Sequence, residues 1–288
     1  MSQELPPVFV LGLKKNFRGK KLLSQLDELG LKYKIVWGLE IENMESRYLD
    51  SYLDHSRSKY LLRRQMSLEE LSCALGHLEM YEDFLLTNAE WGLFFEDDAR
   101  ISLSSTKLFK DLPNFIPPAV ITLANSLDAR FEPNPFPFLR SELTLGERYL
   151  FRECAMAPVL AHAYLMNKGG AFRATHLMRG QKVYTPADFP FQFRSSLKFY
   201  ASSCNIVEIE KLKSTIDNGR LTEQHKIKYG SILGNFVRRF RVAFDYSGLG
   251  VLYAKRLGIS PRSYFKERVV LHWKYKRFTQ GHSSEFFR

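Results

Sequence analysis

The 288-residue chain is 45% hydrophobic and 14% aromatic, enough apolar surface for a substantial core and too much for a disordered protein. No apolar run reaches the ~18 residues of a membrane span, and in "MSQELPPVFVLGLKK" acid and prolines precede a short apolar run, unlike a secretory leader. The net charge of +11 sits at one end: residues 211–288 hold 17 Lys+Arg against 5 Asp+Glu, so a near-neutral body carries a basic tail.

"VFVLGL" (8–13) is wholly apolar, as expected of a strand buried on both faces of a parallel sheet. The basic turn "KKNFRGK" follows, then "KKLLSQLDELG", an amphipathic helix stopped by Gly30, and "KYKIVWG" (32–38), a second strand. Strand, helix, strand is one βαβ unit and implies an α/β fold. At Ser67 the motif "SLEE" is a capping box, with Ser67 as N-cap and Glu70 three residues on. Leu68, Leu71, Leu75, Leu78 and Leu85 then recur at helical spacing to about residue 86.

The turn "TNAE" leads into "WGLFF" and three consecutive carboxylates, Glu96, Asp97 and Asp98. Beyond them "AVITLAN" (119–125) reads as a neighbouring strand, and residues 126–150, with three prolines in "FEPNPFPFLR", as an irregular loop of a kind that often carries function. "AMAPVLAHAYLMN" (155–167) is apolar, and Lys168-Gly169-Gly170 opens a helix to about Arg179. "VYTPADFPFQF" places Asp188 in a loop or first helical turn, and "SLKFYASSCNIVEI" suggests a last strand pair. Cys73, Cys154 and Cys204 are odd in number and far apart, which fits buried inert thiols in a reducing compartment.

Three adjacent carboxylates repel one another unless water, a basic partner or a cation compensates. Ligands bind beyond the carboxyl ends of strands in open α/β sheets, and clustered oxygen ligands suit Mg²⁺ or Mn²⁺ with a phosphate substrate. The bland alternative is a solvated loop whose carboxylates cap the next helix. Two other functions are open at this level. One is a metal-dependent phosphohydrolase or nuclease; the other is a non-enzymatic basic module that binds RNA or membrane.

The blocks "VFVLGLKKN", "LGLKYKIVWGLE", "LSCALGHLEMYEDFL", "WGLFFEDDA", "AHAYLMNKGGA" and "PADFPF", in that order, resemble glycosyltransferase family 25 over roughly residues 8–220. That family includes bacterial lipooligosaccharide hexosyltransferases. The resemblance implies a GT-A-type, Rossmann-like domain at 1–220, a nucleotide-sugar donor (UDP-galactose is commonest), inversion at the anomeric carbon and a divalent cation, Mn²⁺ or Mg²⁺. Carried over by position, Glu96 and Asp98 would hold the metal with Asp97 between them, and Asp188 would be the general base, though an N-cap after Pro186 is its alternative. The resemblance also implies that His77 faces the site, that His162 contacts the donor sugar or the strand beneath it, and that Ser214 helps close the donor pocket. Where relatives carry Ser and a close Arg pair after the first strand, this chain has Asn16, Arg18 and Lys20; Asn16 and Arg18 are its candidates for nucleotide contact.

Residues 221–288 mix Lys and Arg with Phe, Tyr, Trp and Leu, as in "KERVVLHWKYKRF". A mainly helical region of that composition suits an anionic membrane surface carrying a glycolipid acceptor. The expectation is a cytoplasmic enzyme, peripheral on the bacterial inner membrane, with no nucleic-acid partner. A lid packed on the core is the structural alternative.

Overall fold

The computed structural model describes residues 5–39, 50–62, 66–101, 108–109, 112–113, 117–123, 138–145, 149–154, 161–187, 191–193, 196–202 and 206–210. Its first strand, β1 (Val8–Gly12), is buried along its whole length, and alternate side chains enter two separate cores. Phe9 and Leu11 point to one face of the sheet; Val8 and Val10 point to the other. A 3₁₀ turn (Lys14–Asn16) leads to α1 (Lys20–Glu28), which buries Leu22 and Leu26, and β2 (Tyr33–Trp37) returns parallel to β1. Gly30 has a φ of +66°, so the helix ends where only glycine is unstrained.

The short helix α2 (His55–Leu62) precedes the long α3 (Leu68–Leu85). The capping box at the start of α3 forms as expected: the Ser67 side chain accepts from the Glu70 N–H, and the Glu70 carboxylate accepts from the Ser67 N–H at 3.0 Å. Both residues are buried, so water cannot replace the lost cap. Ser67→Ala is therefore expected to cost about 1 kcal/mol, read as a lower urea midpoint with an unchanged slope.

After α3 come β3 (Trp91–Glu96) and β4 (Ala99–Ile101). They are followed by β5 (Ala119–Thr122), β6 (Phe138–Leu145), β7 (Tyr149–Cys154) and β8 (Ala163–Asn167). The helix α4 (Lys168–Gln181), a 3₁₀ turn (Phe191–Phe193), β9 (Lys198–Ser202) and β10 (Val207–Ile209) complete the described elements. Eight strands make one mixed sheet in the order β2-β1-β3-β8-β5-β9-β7-β6, while β10 and β4 form a separate antiparallel pair. Residues of α3 and α4 share one core with Phe9, Phe94 and Tyr164; Leu22 and Leu26 of α1 share the other with Val10, Phe95 and Leu165. The sheet is thus covered on both faces.

Three expectations need correction, and one alternative falls away. The 119–125 strand does not lie beside β3, because β8 inserts between β3 and β5, antiparallel to both. Asn167 fixes this arrangement: its side chain caps α4 by accepting from Gly170 N–H and also accepts from Ala119 N–H, both at 2.9 Å. The region 126–150 is not irregular throughout, since Phe138–Leu145 pairs with β7. The last proline of the region is Pro137, and the following "FLRSELTL" has no residue lacking an N–H donor. The last two strands do not pair with each other: β9 joins β5 and β7, whereas β10 joins β4. Finally, the element after the acidic triplet is the strand β4, so the carboxylates do not cap a helix. Residues 124–137, Asp188, Ser214 and the whole region 221–288 lie outside the described residues.

Candidate active site

β3 ends in the acidic triplet, beside the carboxyl end of β1, with Leu11 in register with Glu96. β8 runs the opposite way, so its amino end arrives at the same edge and Ala163 pairs with Phe95. His162, the residue before β8, is thereby delivered to the triplet, and its carbonyl accepts from Glu96 N–H at 2.9 Å. The three carboxylates then share two basic partners, Arg18 and His162.

Asp97 is buried and turns toward the loop after β1. It accepts from the Arg18 backbone N–H at 3.0 Å and from Arg18 Nη2 at 2.8 Å. The same Nη2 is 3.7 Å from Asp98 Oδ2. This approach requires the loop to fold back closely on β1; a Cβ on Gly12 would come within 2.5 Å of the Phe17 ring. Burial lowers the basicity of Arg18, but the hydrogen bond and charge of Asp97 and the charges of Asp98 and Glu96 outweigh it and raise it overall. Arg100, also buried, donates to the Ala99 carbonyl at 2.6 Å and pairs with Glu210, whose N–H donates to the Asp98 carbonyl.

Glu96 and Asp98 converge on His162. Its Nδ1 lies 3.0 Å from Glu96 Oε2 and 3.1 Å from Asp98 Oδ1, and because a carboxylate only accepts, Nδ1 carries the proton. Burial pushes the His162 imidazolium down, yet the charges and hydrogen bonds of Glu96 and Asp98 dominate and hold its pKa well above the usual value. Burial likewise raises Glu96, and His162 and His77 together overcome that and hold it well below the usual carboxylate range. One ligand atom each of Glu96, Asp98 and His162 lies within 4.8 Å of the other two, and the three could hold a metal ion. Their 3.0 and 3.1 Å separations match the edge of an octahedron of ligands about 2.1 Å from a central ion.

Behind Glu96 a buried polar chain runs into the core. His77, on α3, places Nε2 at 3.2 Å from Glu96 Oε1 and Nδ1 at 2.7 Å from the Tyr164 hydroxyl, which is 2.9 Å from that of Tyr81. His77 therefore lies beside Glu96 of the acidic triplet. Cys73, expected to be an inert buried thiol, is instead half-buried with Sγ 3.6 Å from Glu96 Oε1. Asn16 is exposed on the 3₁₀ turn after β1, its N–H donating to Leu13. Cys73, Tyr81 and Tyr164 were not anticipated. An i, i+4 pairing of Cys73 and His77 was visible in the sequence, but nothing local signalled that both meet Glu96.

The model of glycosyltransferase family 25 (LPS biosynthesis protein) matches residues 5–183, more than half of the chain, and spans Arg18, His77, the triplet and His162. The chain belongs to glycosyltransferase family 25. It is therefore a sugar-transferring enzyme of lipopolysaccharide biosynthesis, taking a nucleotide-sugar donor and a glycan acceptor. Its large mixed sheet between helices fits a Rossmann-like glycosyltransferase. No curated protein matches the chain. Family 25 membership sets aside the phosphohydrolase and non-enzymatic readings. Among the described residues no helix is long and apolar enough to cross a membrane.

Proposed function

We propose that this family 25 member is an inverting, cation-dependent hexosyltransferase that moves a hexose, galactose from UDP-galactose in the first instance, onto a lipooligosaccharide or related surface glycan. The observation that carries the reading is the convergence of Glu96, Asp98 and His162 at the carboxyl edge of β1 and β3. Two carboxylates and an imidazole suit a divalent ion of intermediate hardness, and the imidazole favours Mn²⁺ over Mg²⁺. When bound there, the cation supplies Lewis-acid stabilisation of the departing diphosphate.

The chain's own residues divide the remaining work. Arg18 is held by Asp97 with its guanidinium toward Asp98, and there it opposes the negative charge that grows on the leaving phosphate. Asn16, exposed on the adjoining turn, is available to the nucleotide. His162 orients both carboxylates, and His77 orients Glu96 from the core side. Asp188 removes the acceptor hydroxyl's proton from the face opposite the leaving group. Gln192 donates to the Lys182 carbonyl at 2.8 Å and ties together the described segments on either side of Asp188. Ser214, four residues after Glu210 in the sequence, helps close the donor pocket. Residues 1–220 form the transferase unit, and the basic 221–288 region holds the enzyme at the anionic cytoplasmic face of the inner membrane, where its acceptor lies.

Calorimetric titration of UDP with and without Mn²⁺, on the wild type and on Asp98→Asn, tests the assignment. Binding that needs Mn²⁺ and weakens at least about 10-fold in the variant is expected, as loss of one of three ligands predicts. Equal binding in all four conditions would sink the metal–diphosphate reading.

A further inference from the structure

Glu96 presents its two oxygens to different neighbours. Oε2 faces His162 and the Asp98 side, whereas Oε1 faces His77 Nε2 at 3.2 Å and Cys73 Sγ at 3.6 Å. Cys73 and His77 are four residues apart on α3, so they rise from the same helix face one turn apart. The sulfur, the imidazole nitrogen and a Glu96 oxygen lie within 4.8 Å of one another. A tetrahedral ion with sulfur at about 2.3 Å and nitrogen and oxygen at about 2.0–2.1 Å has S···O edges near 3.6 Å and N···O edges near 3.3 Å. Both observed separations match these edges.

The donor set differs in kind from the one at Asp98. Thiolate, imidazole and carboxylate select a borderline-soft cation, while two carboxylates and an imidazole tolerate a harder one. The surroundings of His77 complete the pattern. Tyr164 can give its hydroxyl proton to Tyr81 and accept from His77 Nδ1–H, which turns the lone pair of Nε2 toward the cation. Such an outer partner is what fixes a metal-binding imidazole.

We propose that Cys73, His77 and Glu96 form a second cation position, selective for Zn²⁺ or a similarly soft divalent ion, and that this position shares Glu96 with the Asp98–His162 set. Binding forms the sulfur–metal bond as the Cys73 thiol releases its proton to solvent. On the reading of the first set given above, occupation lowers sugar transfer. Two dications on one carboxylate repel each other, and each receives less of its charge.

Co²⁺ serves as the probe, because a cobalt–thiolate bond has a strong near-ultraviolet charge-transfer absorption. Titrating the full chain is expected to raise this band in the wild type and in Asp98→Asn, to raise none in Cys73→Ser or Cys73→Ala, and to bleach when Zn²⁺ is added. Tyr164→Phe should weaken Co²⁺ binding by about 10-fold or more. No band in the wild type overturns the proposal. A band surviving both Cys73 variants assigns it to Cys154 or Cys204, and a band lost equally in Asp98→Asn reduces the two positions to one; either result overturns it. The readout needs no nucleotide, so failure of the UDP assignment and failure of this one are distinguishable.

Discussion

Glu96→Gln is expected to lower sugar transfer at least about 100-fold, the scale seen when one preorganised charge-stabilising group is removed. Glu96 is the one carboxylate that both imidazoles address, His77 through Oε1 and His162 through Oε2. The amide keeps the shape but replaces one carboxylate oxygen with a donor, and it removes the charge that holds the His162 proton in place. A cation at Asp98 would then have one carboxylate instead of two. With the proposed donor, the measurement is the rate of UDP release from a UDP-hexose, with circular dichroism to show that the fold is kept. Glu208→Gln, on the exposed side of β10, is the control and should be indistinguishable from the wild type. If Glu96→Gln kept a third or more of the activity, the triplet would not be the centre of the reaction.

Phe94→Ala is expected to destabilise the protein by about 3–5 kcal/mol, among the largest single losses available in this core. Phe94 is fully buried in the middle of β3. Its ring stacks on Phe9 at 5.4 Å and on Tyr164 at 5.2 Å, and takes the edges of Tyr81 and Phe84 at 5.5 and 5.7 Å. Truncation leaves a cavity that four rings and a sheet cannot collapse to fill. A fall in Tm of roughly 10 °C should follow, against a change within about 0.5 kcal/mol for Leu86→Ala at an exposed position. Because Tyr164 loses one of its two stacking partners, Phe94, and keeps His77, the chain from Tyr81 through His77 to Glu96 loosens as well. A Phe94→Leu variant, which refills part of the space, should recover part of the stability.

Local physics left clear marks in the sequence. The apolar runs of β1 and β3, the capping box of α3 and the Gly30 stop are each written within one or two turns of chain, and each appears where expected. The triplet at the end of an apolar run could be placed at a strand terminus for the same reason, and the ordered blocks around it pointed to family 25. Strand partners were less legible. A fully buried strand such as β8 reads the same whether it runs parallel or antiparallel, because its burial pattern has no direction.

Only the tertiary structure decided what the charges do. His162 meets Asp98 across 64 residues because β8 runs backwards between β3 and β5 and so begins at the edge where β3 ends. Arg18 meets Asp97 across 79 residues because the loop after β1 folds tightly against Gly12. Cys73 and His77 share a helix face by sequence alone, but the packing of α3 on the sheet turns that face toward Glu96. Residue type and spacing determine which groups are available; the non-local crossing of strands determines which of them meet.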